Sequence, residues 1–183
     1  MTDLSTLPST INLIGMPGAG KSTIGVLLAK QSGHRFVDTD IDIQARTGTT
    51  LQDILEERGF QALRDVEEEV LLSVDIDNAI VSTGGSVVYS DASMQRLRRA
   101  GPVVYLNVPL TVLQERVDNA PPRGIASDTA QTFAEVFAER TPLYQRYADI
   151  TINTQGLSPD AIANRIFALV SKLQQDSPKK SEK

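Results

Sequence analysis

The sequence predicts an α/β fold, a parallel sheet with helices covering both of its faces. Three observations carry this expectation. Short apolar, β-branched runs alternate with longer segments whose apolar residues recur near i, i+3, i+4. A glycine-rich loop stands between the first run and the first helical segment. The 183 residues, 40% apolar and 22% charged, match an ordinary globular composition and suit one compact domain.

The expected strands are Ile11 to Ile14, Arg35 to Asp38, Ala79 to Ser82, Pro102 to Asn107 and Ile150 to Asn153. The first helix runs from Lys21 to Gln31. Between the second and third strands about three helical pieces are expected, including Leu51 to Arg58 and Phe60 to Val74. A minimal crossover needs fewer, so this excess is where a substrate site can be built. Residues 119–132 (NAPPRGIASDTAQT) carry two prolines, a glycine and many polar side chains, and read as a long loop. Phe133 to Tyr147 returns to helical spacing, and Ser158 with Pro159 opens a last helix ending near Leu173. A single domain is expected over residues 1–173, followed by a solvated, disordered polar tail at 174–183.

Composition excludes several function classes. There is no cysteine, so no disulfide and no thiolate metal site, and the one histidine, His34, disfavours a histidine-built metal centre. With 18 basic and 23 acidic residues the net charge is −5, which argues against a general affinity for nucleic acid or acidic membranes. No apolar run approaches the roughly 20 residues of a membrane span. The first ten residues have no basic stretch of a secretory signal, so a cytoplasmic location and a small-molecule partner are expected.

Chemistry enters at Gly15-Met16-Pro17-Gly18-Ala19-Gly20-Lys21-Ser22, which matches G-x-x-x-x-G-K-[ST] after a strand and before a helix. The glycines let backbone N–H groups converge on phosphate oxygens, and the helix N-terminus adds to the attraction. Lys21 is expected to neutralise charge on the outer phosphates of ATP, and the Ser22 hydroxyl, followed by Thr23, to ligate Mg²⁺. After the second strand, Asp38-Thr39-Asp40 offers two acids that can divide metal-side and proton-accepting roles. Asp40 as a plain helix cap is the alternative. The strand Ala79 to Ser82 has no terminal acid, which points to Asp38 as the metal-side carboxylate. It runs into Thr83-Gly84-Gly85-Ser86, where paired glycines allow close approach to a ligand or form a plain turn.

Together GMPGAGKS, DTD, FQALRDVEEEVL, STGG and Arg140-Thr141-Pro142-Leu143-Tyr144 resemble the shikimate kinase family, from Ile11 to Leu173. The resemblance implies a three-layer P-loop kinase fold of the nucleoside-monophosphate-kinase type. Its five-stranded sheet has the order 2-3-1-4-5, with a helical substrate-binding segment at about 40–74 and a mobile lid at about 119–132. A monomer is the expectation. The resemblance also assigns roles. Asp40 contacts the reacting hydroxyl, Arg64 and Arg140 hold the substrate carboxylate with Glu67 one turn after Arg64, and Gly84, Gly85 and Ser86 form the substrate loop. Arg123 closes over the transferring phosphate. Arg116, Asn153, Thr154 and Pro159 border the adenine.

Two departures from the family pattern bear on the acceptor. Ser86 replaces a third glycine, and Gly124-Ile125-Ala126 follows the lid arginine where Pro-Leu-Leu is usual. The expected activity is transfer of the γ-phosphoryl group of MgATP to a hydroxyl of shikimate, in aromatic amino-acid biosynthesis. A related kinase acting on another hydroxylated carboxylic acid, or a catalytically silent nucleotide-binding relative, are the alternatives.

Overall fold

The computed structural model describes residues 7–121, 124–128 and 130–176. Five strands, β1 (Ile11–Ile14), β2 (Arg35–Asp38), β3 (Ala79–Ser82), β4 (Val103–Asn107) and β5 (Ile150–Asn153), form one parallel sheet in the order β2-β3-β1-β4-β5. The order and the parallel sense match the expectation. Every residue of the central strands β1 and β3 is buried, whereas edge strands β2 and β5 are partly exposed. Strands covered on both faces need continuous apolar runs, which is why their limits are legible. β4 begins at Val103 and not at Pro102. Proline has no N–H to give to a ladder, and Pro102 contributes only its carbonyl, which accepts from the Asn12 N–H at 3.0 Å.

Seven α-helices are assigned among the described residues: α1 (Lys21–Ser32), α2 (Thr39–Thr47), α3 (Leu51–Ser73), α4 (Asp91–Ala100), α5 (Leu110–Asp118), α6 (Phe133–Tyr147) and α7 (Pro159–Asp176). Thr50 with Asp53 and Thr132 with Glu135 form capping boxes at the starts of α3 and α6. α3 is broken at Gly59, whose φ of 82° and ψ of 171° leave the helical region, so the expected division into two pieces holds. α7 runs three residues past Leu173, since Gln174 and Gln175 are good helix formers even without an apolar signal. The helix thus takes in residues 174–176 of the expected tail, and residues 177–183 lie outside the described residues.

Alternate residues of β1 show the two faces of the sheet. Leu13 points to α1, where Gly25 leaves room for it and for Phe36; a Cβ at Gly25 would lie 2.5 Å from the Phe36 ring. Asn12 points the other way, and its amide donates to the Leu97 and Gly101 carbonyls at the end of α4, both at 3.0 Å. α1 packs on α7 on the first side, and α4 packs on α3 on the second. The main apolar core surrounds the sheet. A second, smaller core joins α2 and α3 through Ile43, Ile54, Leu63 and Val70, and Ala126 of the 119–132 loop is buried in it. No helix among the described residues is long and apolar enough to cross a membrane.

Candidate active site

All five strands point their carboxyl ends to one edge, so the segments after β1, β2 and β3 are brought side by side. Leu13 pairs with Ser82, and Asp38 pairs with Ser82 from the other side. In α/β sheets this edge, where strand order reverses, is where ligands bind.

The loop after β1 turns back on itself, with the Ala19 N–H donating to the Met16 carbonyl, and Gly20 precedes α1 with a φ of 89°. The Lys21 ammonium is buried and donates to the carbonyls of Gly15 at 2.8 Å and Met16 at 3.0 Å. Burial pulls its pKa from 10.5 down to about 8, while the charges of Asp40 and Asp38 act in the opposite direction. The Ser22 hydroxyl lies 3.4 Å from that of Ser82 at the end of β3. A cleft of about 970 Å³ opens over Gly18, Ala19, Gly20, Lys21, Ser22 and Thr23 and reaches Asp38, Asp40, Glu67 and Gly85.

Asp38 is the cap of α2: its Oδ1 accepts from the Asp40 N–H at 3.1 Å. The alternative of Asp40 as the cap is therefore overturned. Asp40, in the first turn, is directed to the loop after β3, where a Cβ on Gly84 would lie 3.3 Å from its Oδ1 and 2.6 Å from Glu67 Oε1. The first glycine thus admits two of the protein's own carboxyl groups. Gly85 admits a cation in the same way, a Cβ there falling 3.1 Å from Arg140 Nη1 and 2.8 Å from Pro17 Cδ. Burial raises the Glu67 pKa to about 8, with the Asp40 charge adding to the shift and Arg140 and Arg64 opposing it. Burial thus favours the protonated form of Glu67, and its Oε2 is buried without a hydrogen-bond partner among the described residues.

Arg64 on α3 and Arg140 on α6 meet at one oxygen. Arg64 Nε and Arg140 Nη2 donate to the Ala126 carbonyl at 3.1 and 2.8 Å. Arg140 is fully buried. Among the described residues neither arginine has a carboxylate within 4.0 Å. Two cations converging without a counter-charge form a receptor for an anion, and guanidinium forks suit a carboxylate. Ser86 follows the two glycines, buried, with no hydrogen-bond partner for its hydroxyl among the described residues, on a side pocket of about 330 Å³ shared with Arg64, Glu67 and Tyr89.

Gly15 underlies the loop without lining the cleft; a Cβ there would lie 3.0 Å from the Leu106 carbonyl oxygen. Arg116 on α5 donates to the Gly18 carbonyl at 2.9 Å, and Thr154 and Pro159 line the same end of the cleft. Asn153 does not. It lies on β5, where its side-chain oxygen accepts from Asn107 Nδ2 at 2.8 Å, and the next residue, Thr154, takes the place at the cleft. Arg123 lies outside the described residues. His34, given no partner by the sequence, contacts the Pro8 carbonyl at 3.0 Å through Nε2.

The family model described as shikimate kinase matches residues 17–171. The chain belongs to the shikimate kinase family. It is 35% identical to the shikimate kinase of Persephonella marina over 161 residues, 87% of this chain and 98% of that one. It is 36% identical to that of Nitrosomonas europaea over 179 residues, 96% of this chain and 83% of that one. The solved structure of shikimate kinase from Acinetobacter baumannii in complex with shikimate matches with a TM-score of 0.79 at 30% identity, covering 94% of this chain and 97% of that one. Shikimate kinase from Aquifex aeolicus matches with a TM-score of 0.75 at 28% identity, covering 92% and 99%.

In this member of the shikimate kinase family, sequence reasoning missed two contributors to the arginine cluster. Tyr89 stacks on Arg64, and the Ala126 carbonyl receives both guanidinium groups. Neither has a signature in spacing. A backbone carbonyl is invisible in a sequence, and a single aromatic two residues after a buried turn reads as core.

Proposed function

We propose that the chain is a shikimate kinase, moving the γ-phosphoryl group of ATP to a ring hydroxyl of shikimate. The observation that carries this reading is the pair Arg64 and Arg140, converging without a carboxylate partner beside a cleft that begins at the phosphate loop. A compact carboxylic acid fixed there places its ring against Gly84 and Gly85. Asp40 is then the acid that faces a ring hydroxyl.

In this mechanism the hydroxyl oxygen forms a bond to the γ-phosphorus, the bond from phosphorus to the β,γ-bridging oxygen breaks, and ADP leaves. The hydroxyl proton passes to Asp40. Lys21 moves from the loop carbonyls to the phosphates and offsets the charge that builds on them. Arg123, by resemblance, adds a second cation there. Burial favours the protonated Glu67 carboxyl, which in that form has a hydrogen to donate to a second hydroxyl.

The donor set also fits Mg²⁺ in the form that accompanies nucleotides. Among the described residues no group of three or more acids and histidines forms a cage, but the Ser22 hydroxyl and Asp38 open on the same cleft. Few protein oxygens with water and phosphate completing the shell is the usual Mg²⁺ arrangement. Mg²⁺ held by Ser22 and Asp38 would neutralise phosphate charge. The setting we assign is aromatic amino-acid biosynthesis in the cytoplasm.

The buried, unpartnered Ser86 hydroxyl supports a second reading, in which the preferred acceptor is another hydroxylated carboxylic acid that bonds to it. ADP release from MgATP, measured with shikimate, quinate and gluconate, separates the two. Stimulation by shikimate alone is expected. Stimulation only by another acid moves the substrate, and no stimulation by any of them overturns the kinase assignment.

A further inference from the structure

We infer that Tyr89 is a positioning residue that holds Arg64 and Arg140 in the orientation that captures the substrate carboxylate. The inference rests on the shikimate kinase reading above. Tyr89 ends a single 3₁₀ turn, Val87–Tyr89, that follows the substrate loop directly. Its ring centroid lies 3.8 Å from Arg64 Cζ and 5.2 Å from Arg140 Cζ. Arg140 Nε donates to the phenolic oxygen at 3.3 Å, and the phenol donates to Glu139 Oε1 at 2.7 Å. Glu139 Oε2 in turn accepts from Gln131 at 2.8 Å.

The two arginines come from different helices and carry like charges, so left alone they would splay apart. The negative face of the Tyr89 ring attracts Arg64 without using any of its N–H donors. The terminal nitrogens of Arg64 have no hydrogen-bond partner among the described residues and remain directed to a ligand. The phenolic oxygen takes only Nε of Arg140, leaving Nη2 to the Ala126 carbonyl and Nη1 against Gly85. One side chain thus fixes one guanidinium by its face and the other by its edge. The Glu139 and Gln131 contacts keep the phenol from turning away.

The test compares Tyr89→Phe with Tyr89→Leu. Tyr89→Leu removes face and hydroxyl and is expected to raise KM for shikimate roughly 3- to 30-fold, with kcat and KM for ATP within about twofold of wild type. Tyr89→Phe keeps the face and is expected to recover most of that loss. Binding of shikimate methyl ester, measured by titration calorimetry, should be weak and equal in wild type and Tyr89→Leu, because the ester has no carboxylate to orient. An unchanged shikimate KM in Tyr89→Leu overturns the inference. So does an equal loss for acid and ester, or a fall in kcat and both KM values together, which mark a merely structural part. Arg64→Ala separates this from failure of the underlying reading: if that variant binds shikimate normally, the arginines are not the carboxylate site and both fall. If Tyr89→Leu does not fold, Tyr89→Met, which also removes face and hydroxyl, takes its place, and a shikimate KM unchanged from wild type in that variant overturns the inference.

Discussion

Asp38 caps the helix that carries Asp40. The Asp40 N–H donates to Asp38 Oδ1 at 3.1 Å, so one acid sets the backbone from which the other is directed to the loop after β3. Asp38→Ala is expected to cost about 1 kcal/mol of stability through the lost cap and to lower kcat by freeing the first turn of α2. Asparagine caps as well as aspartate, so Asp38→Asn should unfold in urea like wild type while losing affinity for Mg²⁺. A Mg²⁺ dependence unchanged in Asp38→Asn would confine Asp38 to capping.

Asp40→Asn keeps the shape and removes the proton acceptor. Kcat with saturating shikimate is expected to fall on the order of 100-fold, with KM for ATP nearly constant. Steady-state kinetics near wild type would mean that Asp40 only orients the hydroxyl, as a loose transition state permits.

The raised Glu67 pKa sets a pH dependence of stability. Its ordinary value is 4.5 and its value in the fold is about 8. Between those limits the native protein keeps a proton that the unfolded chain has lost, so stability declines as pH rises through this window. Lys21 works in the opposite direction above it: its pKa drops from 10.5 to about 8, so the unfolded chain binds the extra proton and stability rises from about pH 8 toward 10.5. A minimum near pH 8 is expected in urea unfolding. Glu67→Gln should flatten the acidic limb and leave the alkaline one; a limb that persists in this variant assigns the slope to other groups.

Ser86 keeps a hydroxyl out of water with nothing to bond it among the described residues. Ser86→Ala should therefore stabilise the ligand-free protein by about 1 kcal/mol, read from denaturant midpoints. The backbone at Ser86, φ −90° and ψ −2°, is open to alanine. If the hydroxyl serves the acceptor, the same variant raises the acceptor KM; a stability gain with unchanged KM removes Ser86 from recognition.

Much of the fold was legible because its signals are local. The β1 and β3 runs are mostly apolar and buried throughout, the Gly59 break is marked by the residue that permits it, and the phosphate loop carries its own spacing. Limits failed where a polar residue could satisfy either state, as at Gln174, or where a missing N–H matters more than side-chain character, as at Pro102. The site was legible as a set of residue types but not as a set of contacts. Nothing in Asp38-Thr39-Asp40 tells which acid caps, and nothing in Asn153-Thr154 tells which faces the cleft, because one residue's shift along a strand turns the side chain over. The gathering of Arg64, Arg140, Tyr89 and Ala126 joins positions up to 76 apart in the chain, a relation that periodicity does not encode.

The burial of Arg140 ties the acid to the fold itself. A cation taken fully out of water is costly, and among the described residues its hydrogen bonds go to the Tyr89 phenol and the Ala126 carbonyl in place of a carboxylate. Under the proposed function the missing half of this ion pair arrives with the substrate. Any small carboxylate that reaches the two arginines then acts as a folding ligand, raising the melting temperature in proportion to the logarithm of its concentration over its dissociation constant. Under that function the chain spends folding stability on a charge whose complement it leaves to its environment, and its resistance to unfolding in the cell is expected to track the supply of the acid it consumes.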